Sequence, residues 1–185
     1  MGAIYGISLS KPQSHRAILG VGFAVLIGQS LGPTAPTRPE LAMTGQAGAR
    51  VAQLCGLSYP KEYVRFFDRA NVLDYWPGPA IGGEGDCFPM EEARAEAAKM
   101  TPLLDGRLVV LCGRQVGRAF LFSQEAPLFA WRRVEWSKGD RRGQFSVAVA
   151  PHPSGVSRWW NKSKNVEAAR AFYQELVAKR DRVAL

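Results

Sequence analysis

A chain of 185 residues is long enough to bury one core, and its formal net charge of +8 favours an anionic partner. Hydrophobic residues at 46% against 22% charged residues argue against disorder, and 16 interspersed acidic residues argue against a polybasic tail. Three cysteines, Cys55, Cys87 and Cys112, have no metal-ligand or CxxC spacing, so neither a disulfide framework nor a zinc or iron–sulfur site is expected.

Residues 1–185 read as one domain. Lys11 and His15-Arg16 precede the apolar run "AILGVGFAVLIG", which is too short for a membrane-spanning helix. It leads into "GQSLGP" instead of a small-residue cleavage site, so it reads as a core strand with its lead-in, in a soluble cytoplasmic protein. That strand is placed at 23–28. "TGQAGARVAQLCG" follows with Ala47, Val51 and Leu54 at helical spacing. A second strand is expected at 70–75, then a long Gly/Pro-rich loop, "WPGPAIGGEGDCFP" (76–89). "PMEEARAEAAKMTPLL" opens with Pro and two glutamates, as helix starts do.

A third strand is placed at 107–113, with a short helix, "RQVGRAFLF", after it. "VEWSKGD", flanked by Arg132, Arg133, Arg141 and Arg142, reads as a hairpin or loop near the anionic partner. The fourth strand is placed at 145–151. "NVEAARAFYQELVAKR" puts Val166, Ala169, Phe172 and Leu176 on one helical face. This alternation predicts an α/β fold, a three-layer α/β/α sandwich on a central four-stranded, mainly parallel sheet. Ligands of such sheets bind beyond the strands' carboxyl ends, which gathers "GQSLGP", "NVLDYWPG", "CGRQ" and "HPSGVSRWW" around one cleft.

Taken in order, these segments resemble the uracil-DNA glycosylase superfamily, from about Phe23 to Asn161. The first family motif, Gly-x-x-Pro-Gly or Gly-Gln-Asp-Pro after a strand, is matched by Gly28-Gln29-Ser30-Leu31-Gly32-Pro33. The Gly-x-Ala-Gly helix start of the iron–sulfur branch is matched by Gly45-Gln46-Ala47-Gly48, and the Asn-Val strand by Asn71-Val72. The Pro-x-Glu-Glu helix, the apolar strand ending in Gly, and His-Pro-Ser are matched by Pro89 to Glu92, by Gly113, and by His152-Pro153-Ser154.

The resemblance implies a monofunctional DNA glycosylase that flips a base from the helix and hydrolyses its N-glycosidic bond, leaving an abasic site. His152 would donate a hydrogen bond to O2 of the departing pyrimidine, and Gln29 and Ser30 would complete the catalytic set, their backbone amides finishing the base pocket or positioning water. Gly28, Gly32, Met43 and Asn71 would form the base pocket, with the Asn71 amide reading the base edge. Ser154, Gly155, Val156, Arg158 and Trp159 would meet DNA, a wedge from this loop entering the minor groove of duplex or single-stranded substrate. Trp159 or Trp160 is also expected to pack against the last helix. No lysine stands where a lyase nucleophile would, no cofactor or metal is implied, and a monomer is expected.

Four departures from the family pattern matter. Ser30 stands where the family usually has Asp or Asn; a hydroxyl orients water but is a poor base, leaving Asp74 and Glu40 as substitutes. Met43 stands where the iron–sulfur branch stacks an aromatic on uracil, and it is adaptable instead of flat. Tyr75-Trp76 stand where a cluster cysteine would fall. Gly32 removes the wall that a tyrosine gives the most uracil-selective branch. The expected substrate is therefore a modified, 5-substituted pyrimidine, such as glucosylated hydroxymethylcytosine of phage DNA, in a defence role. The alternatives are repair of uracil or mismatched uracil, and a non-catalytic module for modified or single-stranded DNA. An α/β enzyme of free nucleotides is a blander reading.

Overall fold

The computed structural model describes residues 20–34, 38–82, 85–121, 126–154 and 158–183. Five strands form one sheet: β1 (Ala24–Gly28), β2 (Phe67–Asn71), β3 (Leu108–Cys112), β4 (Arg132–Lys138) and β5 (Arg141–Ala150), in the order β2-β1-β3-β5-β4. The first four positions of that order are parallel, and β4 runs antiparallel to β5 along one edge. Among the described residues there are five α-helices, α1 (Gly45–Cys55), α2 (Lys61–Phe66), α3 (Met90–Met100), α4 (Arg114–Leu121) and α5 (Ser163–Val183).

The two-residue period of the strands divides the core between the faces of the sheet. Val25, Ile27, Val109, Leu111, Val147 and Val149 point to one side, against Ala93, Ala97 and Met100 of α3 and Val116, Ala119 and Phe120 of α4. Their neighbours Ala24, Leu26, Val110, Cys112, Ala148 and Ala150 face the other side, against α1, α2 and α5. There α5 contributes Ala169, Phe172, Tyr173 and Leu176, a buried stripe at helical spacing. Both faces are covered, which is the sandwich expected from the alternation of strands and helices.

Three details differ from expectation. The sheet has a fifth strand, because "VEWSKGD" lies in a β4–β5 hairpin that pairs from Arg132↔Val147 to Lys138↔Arg141. β2 covers Phe67–Asn71 and not 70–75: β1 ends at Gly28 opposite Asn71, and the apolar Val72-Leu73 that follow donate to the Gly28 and Gln29 carbonyls as the chain leaves the sheet. As an edge strand, β2 tolerates Asp68 and Arg69, which hide it from a search for apolar runs. The short helix α2 was also unmarked. The lead-in before Gly20 lies outside the described residues.

At the amino ends of the parallel strands, Asp68 accepts hydrogen bonds from the Gly22 backbone N–H and pairs with Arg107. Among the described residues no helix is long and apolar enough to cross a membrane. Leu26 is fully buried in the middle of β1, whereas Val21 is wholly exposed. Leu26→Ala is expected to lower unfolding free energy by about 2–5 kcal/mol in urea titrations. Val21→Ala is expected to stay within about 0.5 kcal/mol of the parent.

Candidate active site at the strand ends

The parallel register brings the carboxyl ends of the strands to one level: Gly28 faces Asn71, Ile27 faces Leu111, and Cys112 faces Ala150. The chain is held there as it leaves the sheet, by Val72 N–H to the Gly28 carbonyl at 3.0 Å and Gly113 N–H to the Ala150 carbonyl at 2.8 Å. Above this level lie two adjoining chambers of about 330 and 490 Å³, both lined by Ser30, Leu31, Gly32 and His152.

The smaller chamber has Asn71 and Met43 in its wall. A Cβ at position 28 would lie 2.3 Å from Asn71 Oδ1 and 2.6 Å from Met43 Sδ, so only glycine lets both side chains close over β1. Asn71 is 4% exposed and is the one buried polar side chain among the described residues. Its amide makes no hydrogen bond to the described protein, so donor and acceptor remain for a ligand. Met43 has a left-handed backbone (φ 53°), and the Tyr63 hydroxyl donates to its carbonyl at 2.6 Å. Burial pushes the Tyr63 phenol upward, which keeps it a donor. A Cβ on Gly48 would come within 2.6 Å of the same carbonyl, so this glycine is required for the approach. Gly45, Gln46 and Ala47 bring the start of α1, with its positive dipole end, to the chamber wall.

His152 follows β5 by two residues and borders both chambers. The Ser154 backbone N–H donates to its Nδ1 at 3.2 Å. In the neutral ring this assigns the proton to Nε2, making that nitrogen a donor. Burial lowers the imidazole's pKa from its ordinary 6.5, against an opposing pull from Asp86. The segment is clamped from α1: an Arg50 guanidinium nitrogen donates to the carbonyls of Pro153 and Ser154 at 3.0 Å each. Arg50 also lies over the Trp160 ring at 5.3 Å, and Trp160 Nε1 donates to the His152 carbonyl at 2.8 Å.

The structure thus brings Gly28, Ser30, Gly32, Met43, Asn71 and His152 around one cleft, with Gln29 and Ser154 on the larger chamber. Gly155 and Val156 lie outside the described residues. Arg158 is exposed at the start of a short 3-10 turn, Arg158–Asn161. Trp159, expected to meet DNA, packs edge-on against Phe129 with ring centroids 5.8 Å apart and joins the α5 side of the core. Both tryptophans are therefore part of the scaffold.

Neither expected substitute carboxylate reaches the cleft. Glu40 is exposed and pairs with Arg38 at 2.7 Å, while Asp74 lines a separate pocket with Tyr75, Glu92 and Glu96. Arg141 and Arg142 open β5 at the end of the sheet opposite the cleft, ~30 Å from Ala150 at the usual strand rise. Cys55 and Cys112 are buried free thiols pushed up to about 12 by desolvation, so they are unreactive packing groups. No metal-binding cluster of three or more His, Cys, Asp or Glu occurs among the described residues.

Two residues of the cleft escaped the sequence reading. Arg50 meets its partners across 103 and 104 positions of chain and looks like any polar helix residue. Asp86 was one acid within a glycine-rich loop, with no motif around it. In comparisons with known proteins, no family model matches the chain and no curated protein matches it.

Gly28→Ala is expected to force Asn71 or Met43 out of place, at a cost of about 1–3 kcal/mol in urea unfolding. The folded state resists protonating His152 while the unfolded state does not. Stability should therefore fall as pH drops through the window between 6.5 and the lowered folded value. Urea titrations from about pH 7 to pH 5 should show this slope, reduced in His152→Asn.

Proposed function

We propose that the protein is a monofunctional DNA glycosylase that accepts a flipped, 5-substituted pyrimidine and leaves an abasic site. The observation that carries this reading is the unpartnered, buried Asn71 amide sharing one chamber with His152, whose remaining ring N–H is a donor. An amide with free donor and acceptor suits the edge of a base. A neutral imidazole donating from Nε2 suits an oxygen on which negative charge develops as the glycosidic bond breaks. The start of α1 adds positive potential at the same wall.

Space at Gly32 supports the substrate class. A Cβ there would meet nothing within 4 Å, and the base chamber adjoins the larger one at this residue. A 5-substituent as large as a sugar would use that opening, as in the glucosylated hydroxymethylcytosine of phage DNA, which makes defence the matching role. The net charge of +8 supports a polyanionic substrate.

The test is a panel of duplex and single-stranded oligonucleotides carrying uracil, hydroxymethylcytosine or its glucosylated form, followed by alkaline cleavage. Strand breaks are expected at the modified cytosine. Cleavage at uracil alone would assign repair instead, and no cleavage with bound DNA would mean a non-catalytic module. His152→Ala should slow base release by about 100- to 1,000-fold while leaving DNA affinity nearly unchanged.

A further inference from the structure

The larger chamber contains a group that the base-reading residues leave unexplained. Asp86 is the sole carboxylate among the described residues lining either chamber, and it shares the larger one with Gln29, Ser30, Gln115 and His152. The Gly/Pro-rich loop is folded back to place it: Pro79 and Asp86 form an antiparallel bridge, and Ala80 N–H donates to the Gly85 carbonyl at 2.9 Å. Cys87 N–H closes the far side on the Gly78 carbonyl, also at 2.9 Å. Trp76 Nε1 donates to Asp86 Oδ1 at 3.0 Å, so the side chain is held by one oxygen. Its other oxygen makes no hydrogen bond to the described residues. Asp86 also acts on His152, raising its proton affinity against the effect of burial.

A carboxylate here opposes the binding of phosphates in a protein otherwise charged to attract them. It gains a purpose if positive charge develops beside it. Hydrolysis of an N-glycosidic bond supplies such charge, on the sugar, once the base begins to leave. Ser30 lies on the wall between the chambers, but its hydroxyl is a poor proton acceptor.

We propose that Asp86 is the second catalytic group of this cleft, facing the sugar and its attacking water from the chamber opposite the base. This rests on the glycosylase reading. The bond from C1′ to the base nitrogen breaks, and its electron pair leaves with the base, whose O2 is stabilised by His152. A water oxygen bonds to C1′, and Asp86 takes the proton that this water loses. The base anion then takes one proton from solvent and Asp86 returns one, so the net reaction consumes one water. In the same position the carboxylate stabilises the cationic sugar before attack.

The experiment compares wild type, Asp86→Asn and Asp86→Ala in single-turnover base release, on whichever oligonucleotide the wild type cleaves. DNA affinity is measured by fluorescence anisotropy and folding by thermal melting. Both variants are expected to melt like the parent, bind DNA equally or more tightly, and release base about 100-fold more slowly or worse. Added formate should restore part of the rate of Asp86→Ala, because a small carboxylate fills the vacated space. Release near the wild-type rate overturns the assignment and leaves the glycosylase reading standing. A loss that formate does not rescue, or one that comes with weaker DNA binding or a lower melting point, also overturns it, by pointing to a loop-holding role. Wild-type protein that cleaves none of the panel overturns both.

Discussion

The site depends on the parallel hydrogen-bond register that ends β1, β2, β3 and β5 at one level. Residues that are far apart in the chain, Gly28, Asn71 and the approach to His152, meet because their strands stop together. A register slip in β2 would move Asn71 from over Gly28 and turn its side chain to the other face of the sheet. Phe67 and Ala70 of β2 are buried on opposite faces of the sheet, and such a slip would move each away from its own core.

On that platform the site is built by close approach and by clamps. The absence of a Cβ at Gly28 lets Asn71 and Met43 lie against β1, and Gly48 lets α1 reach the Met43 carbonyl that Tyr63 also holds. A left-handed methionine backbone is costly, and buried surroundings that over-determine it often mark a functional wall. On the opposite side, Arg50 and Trp160 bind three successive carbonyls of residues 152–154, which limits the freedom of the histidine loop. The two chambers then divide the polar groups: amide and methionine on one side of His152, carboxylate on the other.

Much of this architecture was legible in the residues. Buried β-branched runs and amphipathic helices identified four strands, the main helices and the sandwich, because burial on both faces leaves a plain apolar signature. Edge elements were harder: β2 carries Asp68 and Arg69, and β4 alternates charged residues with Val134 and Trp136. Their membership in the sheet is set by backbone pairing, which leaves little trace in composition. The cleft residues that lie in short motifs, from Gly28 to Ser30 and from His152 to Ser154, could be named in advance. The contact of Trp159 with Phe129 left no trace in the local sequence, because an aromatic beside such a loop has the same appearance whether or not it packs inward.

By itself the sequence determined the fold class and the end of the sheet where the cleft opens, since these follow from local pattern and strand direction, while the histidine and asparagine that face the chambers were named through the motifs that carry the family resemblance. Only the tertiary structure decided which carboxylate shares the cleft, which arginine holds the histidine loop, and that the hairpin arginines stand at the far end. Those are questions of distance between segments remote in the chain. Local propensity carries no record of them, and they are answered only when the strands pair and the loop folds back.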